Sequence, residues 1–121
     1  MALHNVQGKA GEEQAVKLLE QKGYRILHRN WRSGHKELDI VAQQDNTLVI
    51  CEVKTRKNTL YGNPEDAVTD KKIRRIVSAA DAYIRHFKLN LRVRFDIITV
   101  VTDPQEEKAE HIEDAFYPPI W

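Results

Sequence analysis

Hydrophobic periodicity divides the chain into six predicted elements. Apolar residues recur at helical spacing in two segments, residues 11–23 and 70–87, which predicts two amphipathic helices. Gly23 is expected to end the first helix. Alternating patterns predict four strands, at residues 24–32, 37–43, 47–55 and 91–102. The order α-β-β-β-α-β predicts an α/β fold, a single domain with a mixed central sheet flanked by helices.

Two segments carry no clear periodicity. Residues 61–70 are expected to form a loop or a short helical turn, with Pro64 suited to a helix start. Residues 103–121 form an acidic C-terminal segment that is a candidate for mobility, and its last part, residues 115–121, either packs back onto the domain or stays mobile. No repeat or low-complexity linker interrupts the sequence, so we expect one domain over residues 1–121.

Composition excludes several protein classes. The hydrophobic (41%) and charged (31%) fractions are typical of a folded globular protein. No run of about 18 apolar residues occurs, so no transmembrane helix and no membrane partner are expected. Residues 1–14 lack the apolar core of a signal peptide, which predicts a cytoplasmic location. Cys51 is alone, which excludes a disulfide framework, and its place within a strand indicates a core residue.

Charge is segregated along a chain whose formal net charge is only +1. Residues 54–94 carry eleven basic and four acidic side chains, whereas residues 95–121 carry one basic and seven acidic ones. A local basic block fits an anionic partner such as nucleic acid. A solvated helix face beside an acidic tail explains the same pattern, so charge alone leaves both interpretations open.

Four charged side chains converge at one end of the predicted β-hairpin. The expected register places Asp39 opposite Glu52 and Glu37 opposite Lys54, with all four on one side of the sheet. Opposed carboxylates repel unless a positive group lies between them. Oxygen ligands at this separation suit Mg²⁺ or Mn²⁺ rather than zinc. A surface lattice of ion pairs is the alternative interpretation.

The first helix adds a further carboxylate. Glu12 shares a helix face with Ala15, Val16 and Leu19, the face expected to pack inward. Because burying an unpaired carboxylate is costly, Glu12 is expected to have a partner. Its position in the first predicted turn, where negative charge interacts favourably with the helix dipole, explains it equally well.

The second helix carries a basic face opposite its apolar one. Its members are Lys71, Arg74, Arg75, Ser78 and Arg85. Such residues contact phosphates and confer salt dependence without reading sequence. We therefore predict nucleic-acid contacts from this face and from the nearby chain, namely Arg56, Lys71, Lys72 and Arg75. A solvated helix face is again the alternative.

Several blocks together resemble a known family. The stretches ELDIV and CEVKTR resemble the D-x(n)-E-x-K signature of the PD-(D/E)XK nuclease superfamily. With the blocks YGNPEDAV, TDKKIRRI and RFDIITV, the chain resembles the YraN-like family of uncharacterised bacterial proteins from about Gly8 to Val100. One departure is that two residues separate Gly34 from Glu37, where the family has glycine directly before the acid.

The resemblance implies a restriction-endonuclease-like fold, related to Holliday-junction resolvases, and metal-dependent phosphodiester hydrolysis. Asp39 and Glu52 would be ligands of Mg²⁺ or Mn²⁺, and Lys54 would hold or polarise the attacking water. Glu12 would match the first-helix acid of some members. Glu37, from the same hairpin, is included among the predicted catalytic residues with Lys54 and Glu12.

Two functions from different classes are carried forward. The first is a divalent-metal-dependent endonuclease that hydrolyses DNA, at branched or flapped structures. The second is a non-catalytic nucleic-acid-binding or adaptor protein that has kept the nuclease fold. Assembly as a homodimer or with a protein partner is left open, because no segment of the sequence identifies an interface.

Overall fold

Two helices pack on opposite faces of a five-stranded sheet in the computed structural model. It describes residues 3–56, 69–102 and 108–118, with side chains of the first helix from Ala10 onward. The elements are α1 (Leu3–Gln21), β1 (Arg25–Ser33), β2 (Lys36–Gln44), β3 (Thr47–Arg56), α2 (Asp70–Phe87), β4 (Arg92–Val101) and β5 (Lys108–Phe116). The predicted α/β fold class is confirmed, and the architecture is consistent with a restriction-endonuclease-like fold. No helix in the described ranges is long and apolar enough to cross a lipid bilayer.

The sheet is mixed, with strand order β1-β2-β3-β4-β5. Its first three strands and the β4–β5 pair are antiparallel, whereas β3 and β4 run parallel. Parallel neighbours need a crossover connection, and α2 lies in it. The β2–β3 hairpin has the predicted register, from Ile40 opposite Cys51 to Gln44 opposite Thr47. The hairpin prediction is therefore confirmed over these pairs.

The sheet separates two hydrophobic clusters. On the α1 side, Ala15 and Leu19 are fully buried against the sheet residues Ile40, Val49, Cys51, Ile98 and Val100. On the α2 side, Ile76 and Tyr83 pack against Leu48, Ile50, Phe95 and Ile97. Both predicted apolar helix faces are thus confirmed, and so is Cys51 as a core residue. Phe87, in the last turn of α2, remains 39% exposed.

The helix ends follow local chemistry. Helix α2 has the predicted bounds, and the Thr69 hydroxyl accepts a hydrogen bond from the Lys72 backbone N–H at 3.2 Å as its N-cap. Gly23, which follows α1, adopts φ +88°, a conformation that favours glycine. Helix α1 begins at Leu3 rather than at residue 11. Extending an existing helix needs no new nucleation step, so these added turns can form without the apolar periodicity on which the prediction depends.

Strand β5 was not predicted. It pairs antiparallel with β4 at the sheet edge, so residues 108–116 of the acidic segment pack back onto the domain. Its sequence KAEHIEDAF is rich in charge and poor in β-branched residues, so residue propensities do not favour a strand here. Charged residues are common on edge strands, where they oppose pairing with other chains. The predicted loop or turn at 61–70 falls almost entirely outside the described residues.

Candidate active site

The ladder between β2 and β3 ends just before the predicted carboxylates. Its last pair is Ile40 and Cys51. Beyond it, the Asp39 Oδ2 atom accepts a hydrogen bond from the Val53 backbone N–H at 2.9 Å. A side chain thus replaces a backbone acceptor, and this keeps Asp39 fixed against β3 while the two backbones separate.

Glu37 lies beyond the last described pair of the β2–β3 ladder. The described β2–β3 ladder does not extend to a pair between Glu37 and Lys54. On the β1 side, Glu37 lies opposite Arg32, and an Arg32 Nη2 atom is 3.7 Å from its Oε1 atom. The predicted register is confirmed as far as Ile40 and Cys51, where the described pairs end. Glu37 is exposed, and it lines the same cavity as Asp39 and Glu52.

Asp39 and Glu52 line a common cavity of about 1060 Å³. Glu52 is only 7% exposed, and its Oε2 atom is buried without a hydrogen-bond partner among the described residues. A buried acceptor in this condition is uncommon and costly in folded proteins. The position therefore sacrifices stability, which is typical of residues kept for binding or chemistry.

Burial and mutual repulsion control the acidity of this pair. Burial, followed by the negative charge of Asp39, raises the pKa of Glu52 from 4.5 to about 8, against a smaller opposing effect of Lys72. Burial also raises the pKa of Asp39, while the Val53 hydrogen bond opposes the increase. Two carboxylates that resist simultaneous ionisation are stabilised by any cation placed between them.

The donor set fits a hard divalent cation. Mg²⁺ is commonly held by one or two carboxylates, with water and phosphate oxygens completing its octahedron. Asp39 and Glu52 offer two carboxylates in one cavity, and the Glu52 Oε2 atom has no competing donor among the described residues. These two residues could therefore hold Mg²⁺ or Mn²⁺.

Lys54 and Lys72 lie beside the carboxylate pair. Lys54 follows Glu52 by two residues on β3 and is half-buried. A side-chain contact with Lys72 lowers the pKa of Lys54, and burial adds to the effect, while the charges of Glu52 and Asp39 oppose it. Two carboxylates and two lysines therefore form one electrostatic unit, in which Lys72 comes from α2.

The cavity walls are basic. Among the residues that form them are His35, Lys36, Lys71, Lys72, Arg74 and Arg75. Three of the four predicted nucleic-acid contacts therefore lie at the site. Arg56 is not among the wall residues; its carbonyl oxygen accepts from the Thr102 N–H at 2.8 Å. Arg85 of the predicted basic face instead pairs with Asp81 at 3.0 Å.

Glu12 is held next to the site rather than in the cavity wall. Its carboxylate accepts hydrogen bonds from the Asn30 side-chain amide at 2.8 and 3.0 Å and from Arg29 Nε at 3.4 Å. The expected partner of this acid is thus supplied by β1. Helix α1 lies so close to β3 that a Cβ on Gly11 would overlap the Thr55 hydroxyl. This packing brings the charge of Glu12 within range of Asp39, whose pKa it raises after burial and Glu37.

A second polar cluster lies on the α1 side of the sheet. Ligand atoms of Cys51, Asp96 and His111 lie within 4.8 Å of one another. The fully buried Asp96 carboxylate already accepts from Arg94 at 2.8 and 2.9 Å, His111 Nε2 at 2.6 Å and the Asp114 N–H at 3.0 Å. With its oxygens occupied and a guanidinium bound to them, this cluster fits a structural network better than a metal site.

Comparison with known proteins identifies the family. The profile described as "Uncharacterised protein family UPF0102" matches residues 11–100. A UPF0102 protein of Phocaeicola vulgatus is 64% identical over 121 residues, and one of Bacteroides thetaiotaomicron is 58% identical over 121; both alignments cover all of each chain. One of Flavobacterium psychrophilum is 49% identical over 117 residues, 97% of this chain and 98% of the relative. The chain belongs to the UPF0102 family, the YraN-like family that its sequence blocks resemble.

Proposed function

We propose that the protein is a divalent-metal-dependent endonuclease of the PD-(D/E)XK superfamily, related to the Holliday-junction resolvases. One observation carries the proposal: Glu52, one oxygen of which is buried without a described partner, lines a cavity shared with Asp39 and walled by basic residues. A structural ion-pair lattice would leave no such oxygen unsatisfied. A site for a cation and a phosphate accounts for both the acidic floor and the basic walls.

Each residue of the site has a distinct role in the proposal. Asp39 and Glu52 hold Mg²⁺ or Mn²⁺, and the Val53 N–H fixes the orientation of the Asp39 carboxylate. When bound, the cation neutralises charge on the phosphate and lowers the pKa of its bound water. Lys54, half-buried beside the carboxylate pair on β3, orients the attacking water.

DNA is the proposed substrate class. The cationic side chains of α2 and of Lys36, at the start of β2, line the cavity, where they can contact phosphates of a strand passing over the carboxylates. Such contacts do not read base identity, so selection by DNA structure, such as a branch or flap, fits them better than selection by sequence.

A second candidate is a nucleic-acid-binding protein without catalysis. The basic wall residues favour it independently of the carboxylates, because phosphate contacts from Lys71, Arg74 and Arg75 need no metal. The two candidates differ in what they predict for Glu52, because an oxygen without a partner among the described residues has no purpose in a binding module.

The test is cleavage of labelled single-stranded, duplex, flap and four-way-junction DNA with Mg²⁺, Mn²⁺ or chelator. Wild type is compared with Asp39→Ala and Lys54→Ala, beside the exposed controls Asp81→Ala and Lys17→Ala. The proposal predicts metal-dependent cleavage that both site variants lose and both controls keep. DNA binding without cleavage in any metal would favour the second candidate. Equal cleavage by all five proteins would place the activity elsewhere.

A further inference from the structure

Lys72 acts electrostatically on both carboxylates of the site. It lines the cavity, and its charge opposes the raised pKa values of both Asp39 and Glu52. It also contacts the Lys54 side chain. The adjacent Lys71 lines the same cavity but is not among the main influences on these groups. The two neighbouring lysines therefore differ in their surroundings.

A contact between two lysines is unfavourable unless negative charge surrounds it, because like charges repel at short range. Asp39 and Glu52 supply that charge here. With all four groups ionised, the carboxylates and the ammonium groups cancel. A divalent cation held by the carboxylates leaves the site with an excess positive charge of two, which attracts an anion to the lysine side of the cavity.

The charge that best balances this excess is that of the transition state. A phosphodiester carries one negative charge, and a second develops as an oxygen nucleophile adds to phosphorus. The site is therefore more complementary to the transition state than to the bound substrate, which is the condition for accelerating a chemical step. Removing Lys72 would leave part of the negative charge of the transition state uncompensated, even if Lys54 and the carboxylates remained.

We propose that Lys72 is a catalytic residue which, with Lys54, contacts the non-bridging oxygens of the scissile phosphate; this inference rests on the proposed nuclease function. In the reaction, a water oxygen forms a bond to phosphorus, and the bond to the leaving ester oxygen breaks with its electron pair. The water proton passes to solvent, and the leaving oxygen takes a proton from solvent. Lys72 transfers no proton and stabilises the charge added to the phosphate.

The first test does not depend on cleavage. Inorganic phosphate is titrated into wild type, Lys72→Gln and Lys17→Gln in saturating Mg²⁺, and binding is followed by calorimetry. Lys17 is an exposed lysine of α1 remote from the cavity wall. The inference predicts phosphate binding weakened at least about tenfold in Lys72→Gln and unchanged in Lys17→Gln. Equal binding by Lys72→Gln and wild type overturns it.

The second test separates the chemical step from DNA binding. Single-turnover cleavage is measured at saturating protein on the best DNA of the panel, and DNA affinity is measured in chelator. For Lys72→Gln we expect a rate about 100-fold lower, as for loss of one transition-state donor, a larger effect than the loss of one phosphate contact has on DNA affinity. Lys72→Arg should regain part of the rate. For Lys71→Gln, weaker DNA affinity should account for most of the loss.

These readouts distinguish the two proposals. If wild type cleaves DNA and Lys72→Gln keeps the wild-type cleavage rate at saturating protein, the proposed role of Lys72 is wrong and the proposed nuclease function is retained. If wild type cleaves no DNA in the panel, the nuclease function falls, and the phosphate titration still decides whether Lys72 belongs to an anion site. Thermal unfolding of each variant shows whether a loss reflects misfolding, and Lys72→Arg repeats the test where Lys72→Gln is unfolded.

Discussion

Replacing Glu52 with glutamine should stabilise the metal-free protein. The pKa of Glu52 is raised from 4.5 to about 8, chiefly by burial. The folded state therefore binds more protons than the unfolded state between these values, and stability falls as pH rises through this window. Each pKa unit corresponds to about 1.4 kcal/mol, so keeping Glu52 protonated in the folded state at pH 7, about 2.5 units above its ordinary pKa, costs about 3 kcal/mol. The glutamine side chain carries no charge, and its amide can donate to Asp39.

Urea unfolding in chelator, from pH 5 to pH 9, measures the effect. We expect Glu52→Gln to exceed wild type in free energy of unfolding by about 1–3 kcal/mol at pH 7, allowing for imperfect burial of the amide. The difference should grow toward pH 8 and vanish near pH 4.5. Glu110→Gln, an exposed acid of β5, serves as the matched control and should show no such gain. A less stable Glu52→Gln, or a gain that does not change with pH, would refute the reasoning.

Three further predictions test the surrounding structure. Asp96→Asn should lower the free energy of unfolding by about 3 kcal/mol in thermal or urea denaturation, because it leaves Arg94 without its buried partner. Burial alone would raise the pKa of Asp96, but hydrogen bonds from His111 and Arg94 outweigh burial and lower it. Wild type should therefore lose this stability as pH falls below about 4. Gly11→Ala should cost about 1–3 kcal/mol through overlap with Thr55, and Thr55→Ser in the same chain should leave the cost largely in place because the hydroxyl remains. Arg75→Ala should weaken DNA binding and reduce the slope of log affinity against log salt by about one, measured by fluorescence anisotropy; an unchanged slope would remove Arg75 from the phosphate contacts.

The sequence predicted best where one periodicity governed a whole element. Helix α2 has its expected bounds, since its apolar stripe and the Thr69 cap agree. The hairpin register follows from alternation and a short turn, and it holds as far as Ile40 and Cys51. Beyond that pair the described ladder contains no pairing of Glu37 with Lys54, although Glu37 lines the predicted site. There the Asp39 side chain accepts from the Val53 N–H, and no local pattern signals that change.

Other features depend on contacts between distant segments. Strand β5 is held by an aspartate of β4 that accepts from His111 and the Asp114 N–H, so neither strand alone reveals the pairing. Lys72 reaches Lys54 only because α2 folds over the sheet, and in sequence it is one cation among several. The signal that could have singled it out is its place in the first turn of α2, three residues after the Thr69 cap.

Calorimetric titration with Mn²⁺ tests most directly whether Asp39 and Glu52 form a cation site. It needs no knowledge of the substrate and compares wild type with Asp39→Asn, Glu52→Gln and the exposed Glu110→Gln control. We expect about one Mn²⁺ per chain in wild type and in the control, and loss of binding in both site variants. Wild type that binds no Mn²⁺, or Glu52→Gln that binds it as wild type does, would contradict the assignment of the carboxylate pair as a metal site.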